Sequence, residues 1–211
     1  MSHRYADIAF TASVREHQTR RGVADRNERL RALGGPNDRL GPAEAEFIGA
    51  RDSFYLASVS ESGWPYVQHR GGPKGFLRLL DDKTLGFADF RGNAQYVSVG
   101  NLQHDDRVSL ILMDYPAKQR LKLFGRAKMV EETDDPALMS RLEDADYRAR
   151  LERALVISVE AFDWNCPQHI TARFTQEEVG GVVEPLRSRI HDLETQLLRV
   201  RGALVDDAHH G

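Results

Sequence analysis

Two short runs concentrate the residues able to hold an anion. Gln68, His69, Arg70, Gly71 and Gly72 form the first, and Arg91, Gly92, Asn93 and Gln95 form the second. Fixed guanidinium charge beside glycine-exposed backbone N–H groups, near a helix start, neutralises a phosphate monoester and lets the chain approach its oxygens. The pattern implies a phosphate-bearing cofactor. Arg70 or Arg91 would supply charge-assisted, bidentate bonds to phosphate oxygens, a surface salt bridge being the other use of either side chain. Gly71 and Gly72 would permit close backbone approach, and they serve equally as turn or bulge residues.

Other candidates for chemistry are fewer. His69 and His169 titrate near neutral pH, but neither stands in a triad or metal-ligand pattern and no HExxH occurs, so phosphate or ribityl contact suits His69 and structural hydrogen bonding suits His169. Cys166 precedes Pro167. As the single cysteine it excludes an intramolecular disulfide framework, and a buried inert thiol is the reading preferred over a redox sensor.

The elements that must position these residues can be read from pattern. Gly41-Pro42 opens a short helix, AEAEFIGARD, with Phe47 and Ile48 on its buried side. SFYLASVS and Trp64 to His69 predict a hairpin across Glu61-Ser62-Gly63, and Phe76 to Leu80 and Thr84 to Asp89 predict two more strands, together an antiparallel meander. A helix is expected over Asn93 to Asn101 and a central strand over Arg107 to Asp114, the most apolar run. Arg120 to Val130 alternates as a strand bent near Gly125. Asp134-Asp135-Pro136 starts a helix expected to reach about Leu151, and Ala154 to Phe162 is a last long strand.

The two ends differ from this centre. One helix over Val14 to Leu33 would carry a thin apolar stripe and is expected to pack on a partner surface. At the other end Val183, Leu186, Ile190, Leu193, Leu197, Val200 and Leu204 alternate spacings of three and four, an a/d seam with Pro185 expected in its first turn. Either self-association or packing on its own domain accounts for that seam. The expected organisation is an N-terminal helical arm over residues 1–40, a domain over 41–175 and a C-terminal helix over 176–211.

Bulk properties narrow the function classes. A chain of 211 residues buries a full core in one domain. With 29 basic and 32 acidic residues and a net charge of -3, no field favours nucleic acid or an anionic membrane. No 18-residue apolar run and no apolar leader is present, so a cytoplasmic protein without a membrane span is expected.

Five segments in order, GWPYVQHRGGP, GFADFRGNAQY, DDRVSLILMDYP, RLKLFGRA and WNCPQHITARF, resemble the pyridoxamine 5'-phosphate oxidase-like, FMN-binding split-barrel superfamily, in particular its subgroup of predicted flavin-nucleotide-binding proteins. The resemblance runs from about Asp38 to Phe174. It implies a mainly β fold with peripheral helices (α+β), a six-stranded antiparallel split barrel, working as a homodimer with FMN in the grooves between subunits. On that basis the phosphate and its neighbours fall to Gln68, His69, Arg70 and Gly71, to Phe87, Ala88 and Asp89, and to Arg91, Asn93 and Gln95. Arg120 stands where the oxidases carry a glutamine near the flavin ring, with Lys122 two residues on. Trp164 and Arg173 match residues that flank the isoalloxazine, and Asn165 and Gln168 would hydrogen-bond its polar edge.

The expected function is an FMN-dependent oxidoreductase acting on a small molecule, because hydride transfer needs a positioned donor against the flavin more than a dedicated protein base. Pyridoxamine phosphate oxidation itself is not expected: Gln168, His169 and Ile170 replace the oxidase's substrate-phosphate arginine and histidine. The alternatives are a non-catalytic flavin carrier or sensor, or binding of haem or a deazaflavin.

Overall fold

The computed structural model describes residues 3–144, 146–147, 151–164 and 167–209. Seven strands form one antiparallel sheet: β1 (Ser53–Val59), β2 (Pro65–Gly71), β3 (Arg78–Asp81), β4 (Thr84–Phe90), β5 (Arg107–Asp114), β6 (Gln119–Glu131) and β7 (Leu151–Trp164). Their order across the sheet is β2-β1-β5-β6-β7-β4-β3. The fold class is the expected one, with seven strands in place of six and with no ladder closing the sheet.

The order corrects the expected meander. β1 pairs with β2 and β3 with β4, but the two hairpins stand at opposite edges of the sheet. The long central strands separate them. Burial makes that arrangement favourable: Leu110 and Leu112 of β5, Leu121 and Leu123 of β6 and Leu155 and Ile157 of β7 are fully buried and need neighbours on both sides. Phe54, Phe76 and Phe87, from segments far apart in sequence, meet with centroids 5.3–6.1 Å apart and fill the concave face.

Gly125 supplies the bend expected of β6. The β6–β7 register shifts between Phe124 and Gly125, and a Cβ there would meet Ile157 Cγ2 at 2.7 Å and the Ser158 carbonyl oxygen at 2.8 Å.

The helices are shorter and more numerous than the sequence suggests: α1 (Arg4–Ala9), α2 (Ala12–Arg20), α3 (Ala24–Leu33), α4 (Pro42–Gly49), α5 (Val97–His104), α6 (Pro136–Leu142) and α7 (Gln176–His209). The helix expected over Val14 to Leu33 breaks at Gly22, whose φ of +66° ends α2. The first helix of the arm packs on its own sheet: His3 is buried, Tyr5 stacks on Phe124 at 4.7 Å, and the Arg4 guanidinium lies 3.4 Å from the Glu160 carboxylate of β7, whereas Val14, Leu30 and Leu33 of the expected stripe are exposed. The helix expected to reach Leu151 stops at Leu142, because Ala88, Ala154 and Val156 already cover its apolar face.

The chain divides into two compact units, residues 1–114 with 118–170, and residues 115–117 with 171–211. In the second, α7 begins at Gln176 and not near Val183, so Pro185 lies inside the helix and not in its first turn. Thr175 and Glu178 cap it reciprocally, the Glu178 carboxylate accepting from Thr175 N at 2.7 Å and Thr175 Oγ1 from Glu178 N at 3.2 Å.

Candidate functional site

Strand alternation sorts the expected site residues before any contact is considered. On β2, Tyr66, Gln68 and Arg70 face the concave side, whereas Val67 and His69 face out. His69 stands edge-on to Tyr55 at 5.6 Å, on the opposite face from Arg70. On β4, Phe87 and Asp89 face in, and Ala88 faces out beneath α6.

Arg70 therefore reaches across the open seam of the curled sheet. Its Nη1 donates to Asp89 Oδ1 at 2.5 Å, joining edge strand β2 to β4 by side chains where no ladder joins them. The pair is 13% and 8% exposed. The Arg70 guanidinium also lies 5.7 Å from the Phe87 ring centroid.

A cleft of about 50 Å3 opens at this seam, lined by Tyr66, Gln68, Arg70, Asp89, Glu152 and the segment from Gly92 to Val99. Its roof is strained. Ala94 at φ +57° and Tyr96 at φ +52° both hold left-handed backbone that costs a side-chain-bearing residue about 1 kcal/mol each. The helix expected from Asn93 accordingly begins at Val97, and Asn93 caps a turn instead, its Oδ1 accepting from Gln95 N at 3.2 Å. The first N–H groups of α5 follow directly, and Ser98 Oγ donates to Gln68 Oε1 at 2.8 Å.

Two residues that the sequence did not single out complete the cleft. Antiparallel pairing of β4 with β7 sets Arg153 opposite Asp89, with Arg153 Nε 3.6 Å from Asp89 Oδ2 and Nη2 2.9 Å from Glu152 Oε2. Glu152 also accepts from Tyr96 Oη at 3.3 Å and lies 3.6 Å from Arg91 Nε. Burial opposes the charge on Arg153, but the hydrogen bond to Glu152 and the carboxylates of Asp89, Glu131 and Glu152 outweigh it, so the guanidinium holds its proton more firmly than usual. The signal in the sequence was slight: a charged pair before Ala154 reads as solvated, and only the register reveals its partner.

Three arginines thus share two carboxylates. Among the described residues, the buried side-chain nitrogens that lack a hydrogen-bond partner are Nε of Arg70, Arg153 and Arg120. A buried unsatisfied donor costs about 1–3 kcal/mol, so Arg70 Nε, which belongs to a residue lining the cleft, leaves capacity there for an added acceptor. A phosphate group suits the donors and the volume. A whole mononucleotide does not fit, since pockets that engulf a ligand run to roughly 300–1,000 Å3.

The remaining expected residues lie elsewhere. Gly71 is exposed on the outward side, and Gly72 has no room for a side chain because the Phe76 ring lies 2.7 Å from its Cβ position. Lys122 faces out from β6, paired with Asp163 at 2.9 Å and 4.8 Å above the Tyr5 ring. Arg120 shares that face.

Trp164, at the far end of β7, turns to the opposite face from Lys122. Its Nε1 donates to Glu44 Oε1 at 2.7 Å, and its ring meets Phe47 edge-on at 4.8 Å. It lines a second cavity of about 420 Å3 with Phe47, Arg51, Asp114 and Gln119. Gln168 is exposed in a turn. Arg173 belongs to the second unit, stacked 5.0 Å over Tyr115, and Asn165 lies outside the described residues, as does Cys166. Arg153 and Trp164 stand about eleven residues apart on one strand, roughly 35 Å at ~3.3 Å per residue.

No helix among the described residues is long and apolar enough to cross a membrane. A search of curated proteins finds no match to this chain. Among solved structures, HupZ from Group A Streptococcus is 15% identical, with 64% of this chain and 100% of that chain covered and a TM-score of 0.45. An FMN-binding protein from Syntrophomonas wolfei is 17% identical over 68% of this chain and 95% of its own, with a TM-score of 0.43. An F420 reductase is 16% identical over 56% and 94%, with a TM-score of 0.41. The family model of pyridoxamine 5'-phosphate oxidase matches residues 40–166, well over half of the chain, and the protein belongs to that family.

Proposed function

We propose that the protein is an FMN-binding oxidoreductase that acts on a small molecule as a cytoplasmic homodimer. The observation that carries this reading is the cleft at the open seam, where the buried Nε of Arg70 lacks an acceptor beside the start of α5. Arg70, Arg91 and Arg153 would hold the phosphate, with Asn93, Gln95 and Ser98 supplying further polar contact. Asp89 and Glu152 keep the three arginines in place before the phosphate arrives. Bound flavin would supply reversible acceptance of a hydride.

The distances favour a second copy. Trp164 lies too far along β7 to border a mononucleotide whose phosphate sits in the same chain's cleft. If Arg120 and Trp164 border the ring, they come from the other subunit. The outward face of the β1–β2 hairpin, where Tyr55, Val67 and Trp64 are exposed, offers apolar surface for that contact.

The second reading is a carrier or sensor that binds flavin without turnover. It is favoured by the outward orientation of His69, which leaves the acid–base candidate of this segment on the other side of the sheet from the cleft. The test is a visible spectrum of protein purified without added cofactor, followed by chromatography of what denaturation releases. Released FMN, and hydride uptake from a nicotinamide donor, support the first reading. FMN without uptake from any donor supports the second. A deazaflavin or a Soret band replaces the cofactor, and failure to bind added FMN overturns both.

A further inference from the structure

Helix α7 runs for 34 residues, about 50 Å, and most of its apolar side chains from Val179 to Leu198 are exposed. Leu186, Ile190, Leu193 and Leu197 are 58%, 56%, 46% and 57% exposed, and Val179 and Val182 extend the stripe toward the N-terminus. A helix in water gains most of its stability from packing that face, so a stripe this long implies a partner.

The stripe describes its own complement. With Val183, Ile190 and Leu197 at a, and Leu186 and Leu193 at d, the first two heptads place β-branched residues at a and leucine at d, the combination that favours two parallel strands. The flanking positions agree. Arg189 falls at g and Glu194 at the next e, so in a parallel, in-register pair each Arg189 meets the Glu194 of the other copy, and the pair occurs twice, once on each side of the seam. Arg187, at the earlier e position, is already engaged by Glu184 within its own helix at 3.1 Å. Pro185 falls at c, away from the seam, so the loss of one backbone hydrogen bond does not intrude on the contact.

We infer that α7 is the interface with a second copy of this chain, a parallel two-stranded coiled coil centred on Ile190 and Leu193. This contact is separate from the flavin groove and does not depend on the reading of the cleft.

Site-directed cross-linking of the full chain in a Cys166→Ser background tests it. Ile190→Cys and Leu193→Cys, oxidised separately, each give roughly tenfold more covalent dimer than Ser188→Cys on the outer f position, because a and d side chains face their own copies. Arg189→Glu lowers the yield of the Leu193→Cys chain, and adding Glu194→Arg restores it. Cross-linking no greater than at Ser188→Cys overturns the inference. Cross-linking only between mixed Ile190→Cys and Leu193→Cys chains overturns the parallel arrangement. A barrel contact alone moves neither result, since it does not distinguish position 188 from 190.

Discussion

The two ends of β7 use cations in opposite ways. Near Leu151, Arg70, Arg91 and Arg153 share Asp89 and Glu152, and two buried nitrogens are left without acceptors. Near Trp164, Lys122 is committed to Asp163 and the Tyr5 ring, and Arg51 donates to the Phe47 and Met113 carbonyls while pairing with Asp114 at 2.7 Å. Partner-saturated cations hold structure, and cations with spare N–H groups keep capacity for a ligand. Arg120 is the exception at its end of the sheet: its Nε is buried without an acceptor, so of the two β6 cations expected beside a flavin ring it is the one still available.

The contrast is broken most directly at Arg70. Arg70→Ala removes a charge-assisted donor worth about 2 kcal/mol, so FMN affinity falls roughly thirtyfold while riboflavin, which lacks the phosphate, binds as before. Fluorescence titration with both flavins checks this, and equal loss for the two would move the phosphate out of the cleft. A smaller effect separates Arg120 from Lys122. Arg120→Gln is expected to weaken flavin retention severalfold with little change in the unfolding midpoint. Lys122→Met lowers the unfolding free energy measured in urea by about 0.5–1 kcal/mol, because the partly buried pair with Asp163 anchors the N-terminal arm, and leaves flavin binding alone. The opposite ranking would mean that both cations serve the cofactor.

Smaller still is Ala94→Gly. Relief of the positive φ stabilises the fold by up to about 1 kcal/mol, yet the roof of the cleft loses its fixed shape and FMN binds more weakly. Thermal unfolding and titration on the same sample show whether the two effects oppose each other. The least effect is expected at Asp105, where a hydrogen bond from the Arg107 side chain, helped by the Arg107 backbone N–H, holds the carboxyl well below the usual range. A lowered native pKa adds stability above the unfolded carboxylate range and loses it as pH falls through the native value. Asp105→Asn therefore unfolds slightly earlier at neutral pH and shows a shallower loss of stability in acid.

Sequence pattern located the strands because apolar alternation reports burial locally, and β5 runs from Arg107 to Asp114 as expected. Pattern could not report that the two hairpins lie on opposite edges, because that order is decided by which strands need two buried neighbours. The same limit explains the site. Arg70 and Asp89 were readable as residues of the right kind, whereas Arg153 gains its meaning only from a register with β4 that no local signal carries. Trp164 was placed beside the isoalloxazine by resemblance, but its face follows from the register with β6 and its anchor is Glu44, whose carboxylate also accepts from Gly41 N at 2.9 Å at the start of α4.

The tie between Arg70 and Asp89 has a dynamic consequence. Along the outer side of β2 no ladder protects the backbone, so that edge is held by side chains alone, the Arg70–Asp89 pair and the Ser98–Gln68 hydrogen bond, and it opens locally when they part. A phosphate clamped between Arg70 and Arg153 would act as a rivet across that opening. Deuterium uptake along residues 65–71 should then slow when flavin binds, while uptake in β5 and β6, sealed on both sides, stays as it was.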